Sequence, residues 1–199
     1  IGGVVSGHLA ELGIDVVAVS RNVAMREAGD SRGLTLCGVT PRRNIPVTVR
    51  STPPEGMFDL VILATQPTDV EAAAALAVGR LSETGKVLVL QNGLCEERVA
   101  QVIGDRSRVL GCVVAWGASV VEPGIVEQTS AGGMTVGTLD GTAIRDALEL
   151  EALLSPIGPV KVTENLAGAR WSKLIINSVV SSLGTLNGSR LGPVVRTRV

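Results

Sequence analysis

Aromatic residues are nearly absent from this 199-residue chain. It has no tyrosine, one phenylalanine and two tryptophans, 2% in all. Base-stacking platforms for single-stranded nucleic acid are built from such rings, so that class is excluded. Charge of one sign is lacking too. Eighteen basic against nineteen acidic residues leave a net charge of -1, with no basic field for nucleic acid or an anionic membrane surface. The three cysteines, Cys37, Cys95 and Cys112, are far apart, form no CxxC pair and have no zinc spacing. That usage suits a reducing, cytoplasmic setting and suggests no metal site. The one histidine, His8, has no partner motif and reads as a surface helix position. No basic stretch precedes an apolar core at the start of the sequence, so no signal peptide is expected. No uncharged apolar run has the length of a membrane span. The apolar stretch 174–186 is broken by Asn177, Ser178, Ser181, Ser182 and Gly184, and reads as a buried helix.

What is present is apolar: 45% hydrophobic residues, enough for a full domain and part of a second. Short runs rich in β-branched residues recur at 15–20, 60–64, 86–90 and 109–115. Without polar alternation, such runs suit parallel strands buried on both faces. Helical patterns lie at 2–12, 68–81 and 96–103, the second opening with Thr68 and Glu71 at capping-box spacing. The alternation predicts an α/β fold, a Rossmann-like doubly wound, mostly parallel sheet. Residues 120–141, with a Pro123-Gly124 turn, read as an antiparallel or mixed extension. A helix is expected over 143–154, a last strand over 159–162, and helix alone from 166. This divides the chain into a dinucleotide-binding domain, 1–164, and the start of an all-helical domain, 165–199.

A doubly wound domain starts with a strand and a glycine-rich turn. Here Ile1-Gly2-Gly3 runs straight into a helix. The reading is that a first strand and two earlier glycines lie ahead of Ile1. Gly2 is then the glycine that lets helix and sheet approach closely, although Gly-Gly at a terminus is also common without function.

The second strand of such a fold ends beside the adenosine ribose. An acid there favours NAD; here the strand ends Ser20-Arg21-Asn22. Arg21 can fork onto a phosphate, as NADP(H) requires, or be a solvated loop arginine. Arg26 and Arg32 read as ordinary surface charges that could assist it. The lack of an acid also counts against a methyltransferase. Ala64-Thr65-Gln66-Pro67 and Gln91-Asn92-Gly93 follow strands, at the edge where open α/β sheets bind ligands. Asn-Gly is equally a turn dipeptide.

Residues 171–186 carry a single charge, Lys173. Asn177 and Ser181 follow at i+4 and i+8, on one helical face with it. Lys173 reads either as a lysine snorkelling to water or as a general acid whose ammonium is desolvated above the sheet.

These residues, in this order, resemble the ketopantoate reductase (2-dehydropantoate 2-reductase) family. The resemblance runs through IGG, FDLVILA, VLVLQNGL, RVLGCVVAWGA, EPGIV, TVG and RWSKLIIN. It implies NADPH-dependent reduction of a 2-oxo acid, ketopantoate to D-pantoate, with Lys173 as general acid. It implies substrate contacts from Asn92, Asn177 and Ser181, and cofactor contacts from Gly2, Gly3, Arg21, Gln66 and Asn92. Two positions depart from the family pattern: Gln66 stands where lysine is usual, and Ser181 where a second asparagine is usual. The family's substrate-binding serine and glutamate fall beyond Val199. A paralogue for another 2-oxo acid and a non-catalytic NADP(H) sensor therefore stay open, as does a homodimer.

Overall fold

The computed structural model describes residues 1–186 and residue 188. The chain opens with α1 (Gly2–Glu11), β1 (Val17–Val19), α2 (Val23–Arg32), β2 (Leu34–Gly38), β3 (Arg43–Ile45) and β4 (Thr48–Arg50). It continues through β5 (Phe58–Leu63), α3 (Val70–Ala75), β6 (Leu81–Val89), α4 (Glu96–Ile103) and β7 (Val109–Val114). Then come β8 (Ala118–Glu122), β9 (Ile125–Gln128), β10 (Met134–Thr138), α5 (Ile144–Leu154), β11 (Val160–Val162) and α6 (Leu166–Leu186).

The central sheet has the order β11-β10-β7-β6-β5. β5, β6 and β7 run parallel, β10 is antiparallel to β7, and β11 runs parallel to β10. All six residues of β7 are buried, as a parallel strand covered on both faces must be. Alternate side chains feed two cores. Leu88, Leu110 and Cys112 point to the side of α1 and α5; Val87, Val89 and Val109 point to the side of α3 and α4. This two-sided burial defines a Rossmann-like α/β domain.

A second sheet, β3-β2-β9-β8, includes the expected hairpin around Pro123-Gly124. α1 lies on it, and glycines set the distance. A Cβ on Gly3 would come within 2.8 Å of Val126 Cγ1, and one on Gly7 within 2.9 Å of Leu36 Cδ1. β1 pairs only with β4, and β5 only with β6, so the described residues leave β1 and β5 unjoined. Leu60, Val61 and Ile62 of β5 are accordingly half-buried.

Two expectations are corrected. The helix expected over 68–81 is a short 3-10 turn, Pro67–Asp69, followed by the six-residue α3. The chain turns back at Gly79 (φ 75°), and pairing of Leu81 with Phe58 claims the next residues for β6. Glu71 makes no capping box; Arg98 of α4 takes its carboxylate in an ion pair. His8 is 4% exposed, with Nδ1 2.9 Å from the Val4 carbonyl and Nε2 3.3 Å from Arg43 Nη2, and so is no surface residue. Residues 21–57, where the sequence pattern assigned no element, hold one helix and three short strands. Asn22 starts that helix by accepting from Met25 N (3.2 Å).

Among the described residues no helix is long and apolar enough to cross a membrane. All three cysteines are free thiols.

Candidate active site

The carboxyl ends of β5, β6 and β7 lie side by side, and three connections meet there. After β5 the chain passes Ala64, Thr65 and Gln66, all exposed. Gln66 is extended (φ −65°, ψ 151°) and leads into the 3-10 turn. After β6, Gln91 is buried and ties the two connections together. With its amide nitrogen donating to Leu63 O (3.1 Å), its oxygen accepts from Thr65 N (3.1 Å) and Thr65 Oγ1 (3.0 Å). Asn92 follows, exposed, and Gly93 turns the chain at φ 88°, a conformation that glycine adopts without cost.

α1 points its N-terminus at the same edge. A Cβ on Gly2 would lie 3.2 Å from Ala64 Cβ. The tightest approach of helix to sheet belongs to Gly3 and not, as expected, to Gly2. The first helical N–H groups have no partner within a helix, which makes this end suited to an anion. Two bare glycines in the first turn leave the backbone accessible to a pyrophosphate, so the residues present fit a dinucleotide.

Arg21 stands one residue beyond the Ser20–Arg50 pairing at the tip of β1, with its side chain 82% exposed. Its Nη2 holds Asp69 Oδ2 at 2.5 Å. Arg26 braces the loop beneath, donating from Nη1 to Ser20 O (3.1 Å) and Arg21 O (2.9 Å). Arg32 instead donates to Pro123 O (2.8 Å) and holds the β8–β9 turn. The Arg21 guanidinium, exposed but paired, can receive a phosphate only in competition with Asp69.

α6 packs against β10 and β7 and reaches the ends of β6 and β7 through Arg170 and Lys173. Asn165 starts it, its Oδ1 accepting from Gly168 N at 2.8 Å. The inward face carries Leu166, Arg170, Lys173, Leu174 and Asn177. Lys173 turns toward the sheet and donates to Val114 O at the end of β7. Burial, and then the neighbouring Arg170, hold its ammonium below the usual lysine range, while Cys112 pulls weakly the other way. Asn177 is half-buried one turn further on. Ser181 belongs to α6, but its side chain lies outside the described residues.

Sequence reasoning missed the anchor of this helix. Arg170 is 3% exposed and forms an ion pair with Glu96 at the start of α4, itself buried. Its Nη1 donates to Gln91 O and its Nη2 to Val89 O, both at 2.8 Å. Desolvation pushes the Glu96 carboxyl up against the opposing pull of Arg170. One visible signal was a second charge one turn before Lys173 on the same face.

The sheet order, the glycine-faced helix terminus and the connections that meet at the strand ends define a dinucleotide-binding type of α/β domain. A family profile described as ketopantoate reductase PanE/ApbA matches residues 1–141, and the chain belongs to that family. A 2-dehydropantoate 2-reductase of Pyrococcus horikoshii is 32% identical over 189 residues, covering 94% of this chain and 60% of the relative. One from Pyrococcus abyssi is 30% identical over 94% of this chain and 61% of its own length. The chain thus spans about three-fifths of these curated relatives. Among solved structures, a 2-dehydropantoate 2-reductase from Geobacter metallireducens superposes with a TM-score of 0.84 at 26% identity. That match covers 96% of this chain and 64% of the other. A D-mandelate dehydrogenase solved with NADH and anilino(oxo)acetate shares the fold, at TM-score 0.85 and 18% identity, over 96% of this chain and 63% of the other.

Proposed function

We propose that this chain is the cofactor-binding part of an NADPH-dependent reductase that converts a 2-oxo acid to the 2-hydroxy acid. Within the family, 2-dehydropantoate to D-pantoate is the reaction favoured. The observation that carries the reading is the inward turn of Lys173 above the end of β7, beside the strand that leads to Asn92.

The dihydronicotinamide, when bound, supplies the hydride. Gly2 and Gly3 give its pyrophosphate access to the N–H groups of α1, and Arg21 meets the 2′-phosphate by exchanging Asp69 for it. Gln66, exposed after β5, offers a neutral amide where a cation is usual, so the phosphate charge rests on Arg21 and the helix terminus. Asn92 and Asn177 orient the keto acid, and Ser181 lies one further turn along α6. Such orientation can be worth up to ~7–11 kcal/mol. Lys173 holds a proton at Nζ and gives it to the carbonyl oxygen as that oxygen gains charge. A lowered ammonium pKa favours that transfer near neutral pH.

Lys173→Ala in the whole protein tests this directly. Turnover with NADPH and 2-dehydropantoate is expected to fall ~10²-fold or more, within the usual range for a lost general acid, with NADPH affinity kept. Wild-type turnover in that variant would remove Lys173 from the reaction. A panel of branched 2-oxo acids in the same assay fixes the substrate, because position 181 has the smaller serine where asparagine is usual.

A further inference from the structure

We propose that Arg170, clamped by Glu96, is the positioning residue of this site: it locks α6 in register with the turn bearing Asn92 and keeps a fixed positive charge beside the ammonium of Lys173. This rests on the reading of Lys173 as the proton donor and extends it to a pair with no contact to substrate.

The pair is costly to build. Two charges are withdrawn from water, and apolar residues of the same size would commonly stabilise a fold as well or better. The strand below is shaped to house it. Gly111 sits inside the fully buried β7, and a Cβ there would come within 2.5 Å of Glu96 Oε1 and 2.7 Å of Leu166 Cδ2. Arg170 then spends its remaining donors on Gln91 O and Val89 O. Gln91 is the residue before Asn92, and its side chain also holds Thr65. A single guanidinium therefore joins α4, the end of β6 and α6, and through Gln91 the connection after β5. Lys173 lies three residues along the same helix face.

The charges around Lys173 are few. On its own helix it faces Arg170, whose fixed charge disfavours a second cation nearby. From β7 it faces the Cys112 thiol, while β10 (Met134–Thr138) has no ionisable side chain. Glu96 of α4 meets Arg170, with the guanidinium between it and Lys173 in the order of contacts.

The test is Arg170→Gln combined with Glu96→Gln in the whole protein, which removes both charges yet keeps hydrogen-bonding amides. The readouts are the pH profile of kcat, KM for NADPH, and titration of the Lys173 amine by NMR. With Arg170's charge gone, the Lys173 ammonium holds its proton more firmly. The limb where kcat falls with rising pH moves upward, and the NMR titration moves with it. A drop in kcat of ~10-fold or more is expected, since small misplacements of catalytic groups cost up to ~10². KM for NADPH stays within about twofold, because the cofactor contacts lie elsewhere. Lost stability or activity with both titrations unmoved would make the pair merely structural and overturn the proposal. So would unchanged kinetics. If the double variant does not fold, Arg170→Lys retains the charge without the fork: low kcat with an unmoved titration supports positioning, and full kcat overturns it. Lys173→Ala separates the two readings. If it retains turnover and the falling limb, the assignment of Lys173 fails on its own terms, whatever Arg170 does.

Discussion

The two faces of α6 are an inversion of the usual amphipathic helix. The face toward the sheet carries Arg170, Lys173 and Asn177 beside Leu166 and Leu174, and is held by a salt bridge, three carbonyl contacts and the burial of Leu166. The face toward solvent carries Trp171, Ile175, Ile176 and Val179, with Ile175 and Ile176 61% and 62% exposed. Ordinary helices dock by burying apolar area and are forgiving about register. This one adds directional bonds to the burial of Leu166, and its outer apolar side is left for something else to cover. Charged contacts place it, and apolar contacts would only add to its stability.

That contrast can be broken from either side. The largest loss is expected from Arg170→Ala, which strands the Glu96 carboxylate and strips two carbonyls. Breaking one partner of a buried pair costs about 3–5 kcal/mol. Urea unfolding of the chain measures it, and a loss under 1 kcal/mol, the level of a surface pair, would show that the anchor is not holding the helix. Next comes Gly111→Ala. The added methyl must push Glu96 or Leu166, with a cost of about 1–3 kcal/mol by the same measurement. Third is Lys173→Met, where the sign is opposite. The folded ammonium pKa is depressed from 10.5. As pH falls below that value the unfolded chain takes its proton first, so the native lysine begins to cost stability there, and the full cost is present once pH is below its folded pKa. The variant is therefore expected to gain stability at pH 7 relative to wild type, and the gain to vanish above pH ~10.5; an unchanged difference across that window contradicts the burial argument. The smallest effect belongs to the outer face. Ile175→Glu with Ile176→Glu should shift the chain's unfolding free energy by only about 0.5 kcal/mol in the same urea measurement.

The same contrast explains what could be read from the sequence. β5, β6, β7, α4, the β8–β9 hairpin and α6 were legible because each is a contiguous run whose period or burial is written in neighbouring residues. Residues 21–57 were not. Their strands are three to five residues long, and Thr48-Val49-Arg50 or Arg43-Asn44-Ile45 shows no pattern until paired. Lys173 was legible as the single charge in a long apolar stretch, and Asn92 as part of a turn after a strand. Arg170 with Glu96 was not, since the partners are 74 residues apart and Glu96 looks like half of an acidic helix start. A glycine inside a fully apolar strand, Gly111, was the visible trace of it.

The buried thiols carry one more consequence. Cys112 lies at the centre of β7, inaccessible, with its pKa pushed up to about 12 by burial. A thiol reagent attacks the thiolate and needs access, so Cys112 stays silent while β7 is zipped between β6 and β10. Its labelling rate, resolved from those of Cys37 and Cys95, is thus a built-in clock for rupture of the central sheet in the unaltered protein.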